Sequence, residues 1–412
     1  MCDDEVKGFN LNKISKFYVV NAFVGFLLLG SFFAWSVFVS PLEADFGWTR
    51  SQTSLNFSIS IVTFSLGGLA AGGLLKTKTP RQVTFFSAAC ILAGFILSSR
   101  TQTLLELYLF YGVLFGFGVG VGYTVLISTI LQWFPERQGF ISGILLMGYG
   151  LGGSFFGNAA FSIMNAFGWR NTFTALGLIL GGAIFLVGLN VKRPSSGQIS
   201  RNTNALKSES DYRPGEMLHD WTFYAFYVRH VTAIAVGLSI LGNAAPFANS
   251  VFRDPMLAAA IGGLASIFNG LGRVSVGFIF DKIGSRKTLL ICTGGMFLGV
   301  LLLISAAISN SVILLVTGYA AGGFFYGSNV ACAPGFVGKV YGLRDFAVNY
   351  GIFNTGPIFS SFVGPYALGI LFTWTGSYVI THIMLLGLCC VGFAANVSIK
   401  KHYVPPARCS SN

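Results

Sequence analysis

Two arginines interrupt stretches of the sequence that are otherwise apolar, and they are the residues best suited to binding chemistry. Arg273 lies eight residues before Asp281, which at about 1.5 Å per helical residue puts it roughly 12 Å inside its stretch. A charge within a bilayer costs about 2.5 to 3.5 kcal/mol, so a retained one usually faces a cavity and a partner. The guanidinium of Arg273 therefore predicts a bidentate carboxylate clamp; the alternative is a packing lock on backbone carbonyls.

Acidic residues are absent from the middle of the apolar stretches. All 14 lie in the terminal or connecting segments or near the ends of those stretches. A positive cavity without a fixed anion attracts an anionic substrate, whose carboxylate supplies the missing counter-charge. We therefore expect a small organic anion as the ligand, and we expect cationic compounds to be repelled.

Arg229 and His230 form a second basic element within one apolar stretch. Neighbouring residues on a helix point about 100° apart, so only one of the two is expected to face a central cavity squarely. Arg229 is predicted either to bind a second carboxylate or to extend along the helix to the membrane surface. His230 is either a hydrogen-bonded core residue or a titrating site for proton coupling.

Aromatic and amide side chains near the same predicted cavity could orient a small planar anion. Most of the 41 phenylalanines and 15 tyrosines must pack in the core or face lipid, so each candidate competes with a core role. The candidates are Trp35, Tyr123, Tyr149, Tyr326, Asn269, Asn329 and Asn354. The four histidines are scattered and no acid lies midway through a stretch, so we predict neither an enzyme nor a metal or cofactor site.

The composition of the chain indicates that membrane-spanning helices position these residues. Of its 412 residues 53% are hydrophobic and only 10% are charged, with a mean hydropathy of +0.70. Soluble domains carry about 25% charged residues. As a helix, roughly 20 apolar residues cross the hydrocarbon core. Twelve spans are predicted at 17–39, 55–75, 83–99, 105–133, 139–164, 173–191, 221–241, 256–280, 288–308, 312–340, 346–372 and 378–399.

Lysine and arginine are distributed unequally between the two sides of these spans. One side, which holds both tails and the connection 192–220, carries 20 of the 26 basic residues. Positive residues are retained on the cytoplasmic side, so we expect cytoplasmic termini and a multi-pass protein of the plasma or bacterial inner membrane. The net charge of +12 is expected to contact anionic membrane lipids rather than nucleic acid.

The two halves of the sequence resemble each other at an offset of about 205 residues. A short basic turn follows the glycine-bearing second span near Gly72 and the eighth span near Gly277. Six spans per half, both halves starting on the same side, predict a parallel repeat about an axis along the membrane normal. The predicted fold class is thus an all-α membrane protein with twelve transmembrane helices in two six-helix halves. The predicted segments are a tail (1–16), a bundle (17–191), a flexible linker (192–220), a second bundle (221–399) and a tail (400–412).

The turn after the eighth span carries a family motif. Gly277, Asp281, Lys282, Gly284 and Arg286, at this spacing, resemble the signature turn between the second and third helices of each half in major facilitator transporters. This resemblance implies the major facilitator fold, with alternating access by rocking of the two halves and substrate held near the midplane. The family usually has an aspartate in the first-half turn as well, where this chain has lysine.

Further motifs resemble one group within that superfamily, the oxalate:formate antiporters and monocarboxylate porters. They are the glycine-rich run from Gly116 to Tyr123 and the segment from Gly270 to Arg273. The resemblance supports Tyr123 as a substrate contact. Oxalate exchangers of this group carry a lysine in the eleventh span, where this chain has Pro357, and this difference disfavours oxalate itself as the substrate.

Taken together, these patterns predict a secondary transporter of a small mono- or dicarboxylate that works by exchange or with a proton, as a monomer. The nearest alternative is an exporter of amphipathic compounds, which the same signature turn permits. A second alternative is a transporter-like sensor that binds a ligand without moving it. Such a sensor would be expected to carry a sizeable extra cytoplasmic domain.

Overall fold

The structure, a computed structural model, describes residues 13–194, 211–253 and 255–399, and every regular element in those ranges is helical. Most of the predicted N-terminal tail, the middle of the predicted linker and the C-terminal tail lie outside the described residues. The first half contains α1 (Lys13–Leu29), α2 (Trp35–Phe46), α3 (Arg50–Thr77), α4 (Pro80–Ser98), α5 (Leu104–Leu107), α6 (Gly116–Leu131) and α7 (Gln138–Leu189). The second half contains α8 (Pro214–His219), α9 (Trp221–Gly242), α10 (Ala244–Phe252), α11 (Pro255–Ile283), α12 (Ser285–Ser309), α13 (Val312–Tyr341), α14 (Phe346–Phe353), α15 (Gly356–Ser361), α16 (Ala367–Thr375) and α17 (Tyr378–Val397).

Short non-α segments join several of these helices into continuous membrane crossings. A 3₁₀ segment, Gly30–Ala34, connects α1 to α2, and a π-helical segment, Tyr108–Phe115, connects α5 to α6. A second π-helical segment, Phe362–Tyr366, contains Pro365 and connects α15 to α16. Because proline lacks an N–H and clashes with the preceding turn, the helix widens there instead of continuing as regular α-helix.

Twelve crossings follow from the helices of the described residues. Ten helical stretches are long and apolar enough to cross a membrane. One of them, α7, has 52 residues and contains two crossings, because Gly168 interrupts the regular helix. The φ of Gly168 is 77°, in the left-handed region that favours glycine. The twelfth crossing is α13, whose 30 residues exceed the required length but include polar residues such as Asn329.

Turn sequences determine where several crossings begin. The side chains of Thr49, Thr79 and Thr103 each accept a hydrogen bond from the backbone N–H three residues later. The glutamine or glutamate at that later position in turn accepts a hydrogen bond from the backbone N–H of the threonine. These reciprocal bonds satisfy N–H groups that the first helical turn leaves without partners. Between α3 and α4 only Lys78 and Thr79 are non-helical, and Pro80 then opens α4, where its missing N–H costs nothing.

Equivalent helices pack in the same way in the two halves, as the sequence repeat predicts. In the first half α3 packs on α6, and α4 packs on both α6 and α7. In the second half α11 packs on α13, and α12 packs on both α13 and α17. Each half is therefore a bundle with its own buried core.

The two bundles contact each other mainly through α3 with α14 and through α7 with α11 and α13. These contacts lie toward the end of the molecule that carries the turns 78–79, 132–137 and 342–345, which we call the basic end. The described hydrogen bonds between the bundles run from the basic end to mid-depth, where Ser65 Oγ donates to Asn354 O at 3.1 Å. Nearer the opposite end, no described hydrogen bond joins the bundles.

Candidate functional site

Arg273 lies at mid-depth between the two bundles, ten residues before the end of α11 and thus roughly 15 Å from the basic end. Only 5% of the residue is exposed. Its Nε donates to Asn269 Oδ1 at 3.3 Å, one turn earlier on the same helix, and its Nη1 donates to the backbone oxygen of Leu146 on α7. Its Nη2 donates no hydrogen bond to the described residues. One donor of the guanidinium is therefore available to a ligand.

Glycines on α7 make room for this arginine. A Cβ atom at Gly150 would lie 3.1 Å from Arg273 Nη1, and one at Gly143 would lie 2.3 Å from Arg273 O. Larger residues at these positions would push α7 away from α11 and break the hydrogen bond to Leu146. The glycine spacing of the fifth crossing thus allows the guanidinium to reach a carbonyl of the opposite bundle.

Neither Arg273 nor Arg229 has a carboxylate within 4 Å among the described residues. The acidic residue with a described ion pair in this region is Asp281, which binds Lys339 at 3.0 Å near the basic end. Arginine does not give up its proton in a protein, so both charges persist. The described bonds of Arg273 go to an amide oxygen and to a backbone carbonyl, as the packing-lock alternative expects, and its anion-binding role stays a prediction.

Three predicted tyrosines lie near the charge of Arg273. The hydroxyl groups of Tyr123 and Tyr350 lie 3.0 Å apart and join α6 to α14 across the two bundles. The Tyr149 ring packs edge-on against Tyr123 with centroids 5.3 Å apart. Tyr123, Tyr149 and Tyr326 all lie within electrostatic reach of the Arg273 charge. Four predicted site residues, these three tyrosines and Asn269, therefore meet around Arg273.

Arg229 and Asn329 form a separate group inside the second bundle. Arg229 is fully buried, its Nη2 donates to Asn329 Oδ1 and to Leu289 O at 3.5 Å, and its charge lies over the Phe226 ring at 5.7 Å. The side chain does not extend to the membrane surface. Its predicted contact with substrate stays a prediction, and the described contacts give no direct support to it.

The other candidates lie apart from Arg273. Trp35 donates its Nε1 to Thr53 O at 3.2 Å inside the first bundle. His230 packs against the Phe353 ring with centroids 4.5 Å apart, and its buried Nδ1 has no described partner. Asn354 lies at the junction of α14 and α15, where its backbone oxygen accepts from Ser65 across the bundle interface. Their roles in binding stay predictions.

The signature turn connects the two bundles at the basic end. Asp281 Oδ1 accepts from Gly139 N at 3.1 Å and Oδ2 accepts from Phe140 N at 2.8 Å, both at the start of α7. Lys339 on α13 donates to the same carboxylate. Asp281 thereby places a negative charge on the positive end of the α7 dipole, a stabilising position.

Of the remaining residues of the signature turn, Gly277 contacts the first bundle in the described structure, and the others determine the form of the turn. Gly277 touches Gly139 so closely that a Cβ on either would fall within 2.6 Å of the other backbone. Gly284 turns the chain with φ 84°. Lys282 lies over the Phe278 ring at 4.3 Å, and Arg286 is exposed.

Three residues that take part in the contacts between the bundles were not among the predicted site residues. The backbone of Leu146 carries no signal in a sequence, since any residue supplies a carbonyl. Lys339 lies at the end of the predicted span 312–340, and its sequence position indicates only a basic charge on one side of the membrane. Tyr350 could have been found, because it is a polar residue in an apolar span and lies one helical turn from the candidate Asn354.

Comparison with known proteins agrees with this architecture. The sequence model of the Major Facilitator Superfamily matches residues 22–365 and 231–408. The chain belongs to the Major Facilitator Superfamily. The fold of the proton:xylose symporter XylE superimposes with a TM-score of 0.73 at 14% identity, over 93% of this chain and 94% of that one. The predicted fold class, twelve helices in two six-helix halves of an integral membrane transporter, is thereby confirmed.

Two relatives indicate the part of the superfamily that this chain resembles. The oxalate:formate antiporter of Oxalobacter formigenes is 28% identical, covering 89% of this chain and 88% of the relative. Monocarboxylate transporter 13 of Rattus norvegicus is 23% identical, covering 87% of this chain and 83% of the relative. The predicted resemblance to this group is confirmed.

Proposed function

We propose that this transporter carries a small organic anion, a mono- or dicarboxylate, by alternating access. The observation that supports this proposal most is Arg273, a mid-depth guanidinium between the bundles. Among the described residues its Nη2 has no hydrogen-bond partner and the side chain has no carboxylate partner. The substrate carboxylate would bind this donor and supply the missing negative charge. The names of the two relatives fit the same substrate class.

Substrate binding would be coupled to movement through the hydrogen bond between Arg273 and Leu146. Because Leu146 belongs to the first bundle and Arg273 to the second, this bond favours contact between the bundles. A carboxylate that draws the guanidinium away from Leu146 would weaken that contact. The Tyr123 and Tyr350 hydroxyls would separate in the same movement, since they also belong to opposite bundles.

The orientation and coupling are part of the proposal. With the basic end facing the cytoplasm, as the basic residues predict, the described contacts between the bundles would close the cytoplasmic side. Segments 1–16, 192–220 and 400–412 would be cytoplasmic, and segments 17–191 and 221–399 would be the bundles of a monomer in the plasma or inner membrane. Exchange or proton-linked transport would drive the cycle, with His230 or the substrate's own acid group carrying the proton.

A ligand screen with the purified full-length protein tests this proposal. Short mono- and dicarboxylates should raise the unfolding temperature of the wild type and should have no effect on Arg273→Gln. Arg100→Gln, at an exposed position outside the site, is the matched control and should respond like the wild type. Stabilisation by amphipathic drugs and by no carboxylate would refute the proposal and favour an exporter.

A further inference from the structure

Arg229 is a second buried arginine, and the proposed transport through Arg273 does not explain what compensates its charge. Its Nε and Nη1 are buried and have no hydrogen-bond partner among the described residues, and the residue is fully buried. Its Nη2 is satisfied by two neutral oxygens, Asn329 Oδ1 and Leu289 O. A buried, permanently charged group with unpaired donors is strongly destabilising unless another group compensates it.

A small cavity lies beside this arginine. It leaves about 10 Å³ in which the centre of a water-sized particle can lie, so it admits a single small particle. Arg229, Thr232, Thr293 and Asn329 are its polar lining residues, and Ala233 and Met296 contribute apolar surface. A monatomic anion needs the least rearrangement of these lining side chains, because a carboxylate brings at least three heavy atoms.

The neighbouring polar groups cannot themselves supply the missing negative charge. The hydroxyl of Thr232 donates to Arg229 O at 2.9 Å, and that of Thr293 donates to Leu289 O at 2.9 Å. The Asn329 amide nitrogen donates to Phe325 O at 2.8 Å. These side chains are neutral and their described donors are in use, so Arg229 is the polar lining residue with unpaired donors among the described residues.

We propose that the cavity beside Arg229 is a binding site for one monatomic anion of the halide class, such as chloride. The anion would accept hydrogen bonds from Arg229 and neutralise its charge within the second bundle. All lining residues belong to that bundle, so rocking of the bundles would leave the site intact. This site is independent of the substrate site at Arg273, and its role is to stabilise the second bundle.

Thermal unfolding of the purified full-length protein in sodium chloride, sodium bromide and sodium gluconate at equal ionic strength tests the proposal. We expect the unfolding temperature to rise by roughly 2 °C for each tenfold increase of chloride or bromide above the dissociation constant. Gluconate should give no such rise, because it exceeds the cavity. The same unfolding temperature in chloride and gluconate would overturn the proposal and leave a single water as the occupant.

Variants separate this site from the site at Arg273. Arg229→Gln should lose the chloride dependence, whereas Arg273→Gln should keep it. If Arg229→Gln does not fold, Ala233→Val provides the same test, because its added methyl groups fill the cavity and leave the arginine in place. Chloride dependence that persists in Ala233→Val, or that disappears in Arg273→Gln, would contradict the proposed location. The proposed transport function is unaffected by either outcome.

Discussion

The contact of Asp281 with the start of α7 should hold the bundles together at the basic end. Its carboxylate accepts two backbone hydrogen bonds, from Gly139 and Phe140, and pairs with Lys339. Hydrogen bonds to a charged group contribute about 1.5 to 3 kcal/mol each, against about 1 kcal/mol for neutral ones. Asp281→Asn keeps one neutral acceptor, so we expect the closed basic end to lose at least about 2 kcal/mol. That loss shifts the ratio of closed to open molecules by at least about 30-fold.

Distances between spin labels across the basic end measure this shift. Lys78 on the first bundle and Lys287 on the second are both exposed. Each can be replaced by a labelled cysteine once Cys390, the exposed cysteine among the described residues, and the terminal Cys2 and Cys409 have become serine. Asp281→Asn should populate longer distances that are rare in the parent chain. The control is Lys282→Gln, because Lys282 contacts only the Phe278 ring in the described structure.

Two results would refute this reasoning. An unchanged distance distribution in Asp281→Asn would mean that the carboxylate does not hold the bundles together. An equal shift in Lys282→Gln would mean that any loss of charge in the turn has this effect, whatever the hydrogen bonds to α7.

Two further predictions concern a cross-bundle hydrogen bond and a helix contact. Tyr123→Phe and Tyr350→Phe each remove one partner of the same 3.0 Å hydrogen bond. Each variant should weaken carboxylate binding or shift the conformational balance by about 1 kcal/mol, and the double variant should lose little more. A double-mutant cycle of substrate affinities checks this expectation. Gly120→Ala puts a Cβ 1.9 Å from Phe64 O and should destabilise the protein by about 1 to 3 kcal/mol, whereas Gly182→Ala, with nothing within 4 Å of the new Cβ, should not destabilise it. Equal unfolding temperatures for these two alanine variants would contradict the close contact.

The sequence was sufficient for the fold because its signals are local and repeated. Long apolar stretches, short basic turns and the 205-residue repeat each reflect a property that the membrane imposes on every span. The break at Gly168 was less visible: the sequence suggested a connecting segment between 164 and 173, whereas α7 continues through it with a single kink. Phe167 and Trp169 flank that glycine, so little polar sequence indicates the turn.

The site could be predicted only in part, because a sequence does not state which face of a helix a residue occupies. Arg273 and Tyr123 meet as expected, since both lie at mid-depth on helices at the bundle interface. Arg229 has an equally costly charge and comparable depth, yet it faces the interior of its own bundle. The contact of Asp281 with Gly139 spans 142 residues of sequence, and no local pattern could reveal it.

The central claim is that Arg273 binds the transported carboxylate. The most direct measurement is uptake of labelled carboxylates into proteoliposomes by the wild type, by Arg273→Lys and by the control Arg100→Lys. Lysine keeps the charge but cannot reproduce the planar set of donors, so we expect Arg273→Lys to lose at least about tenfold in uptake while it folds normally. Uptake by Arg273→Lys equal to that of the wild type and the control would contradict the claim.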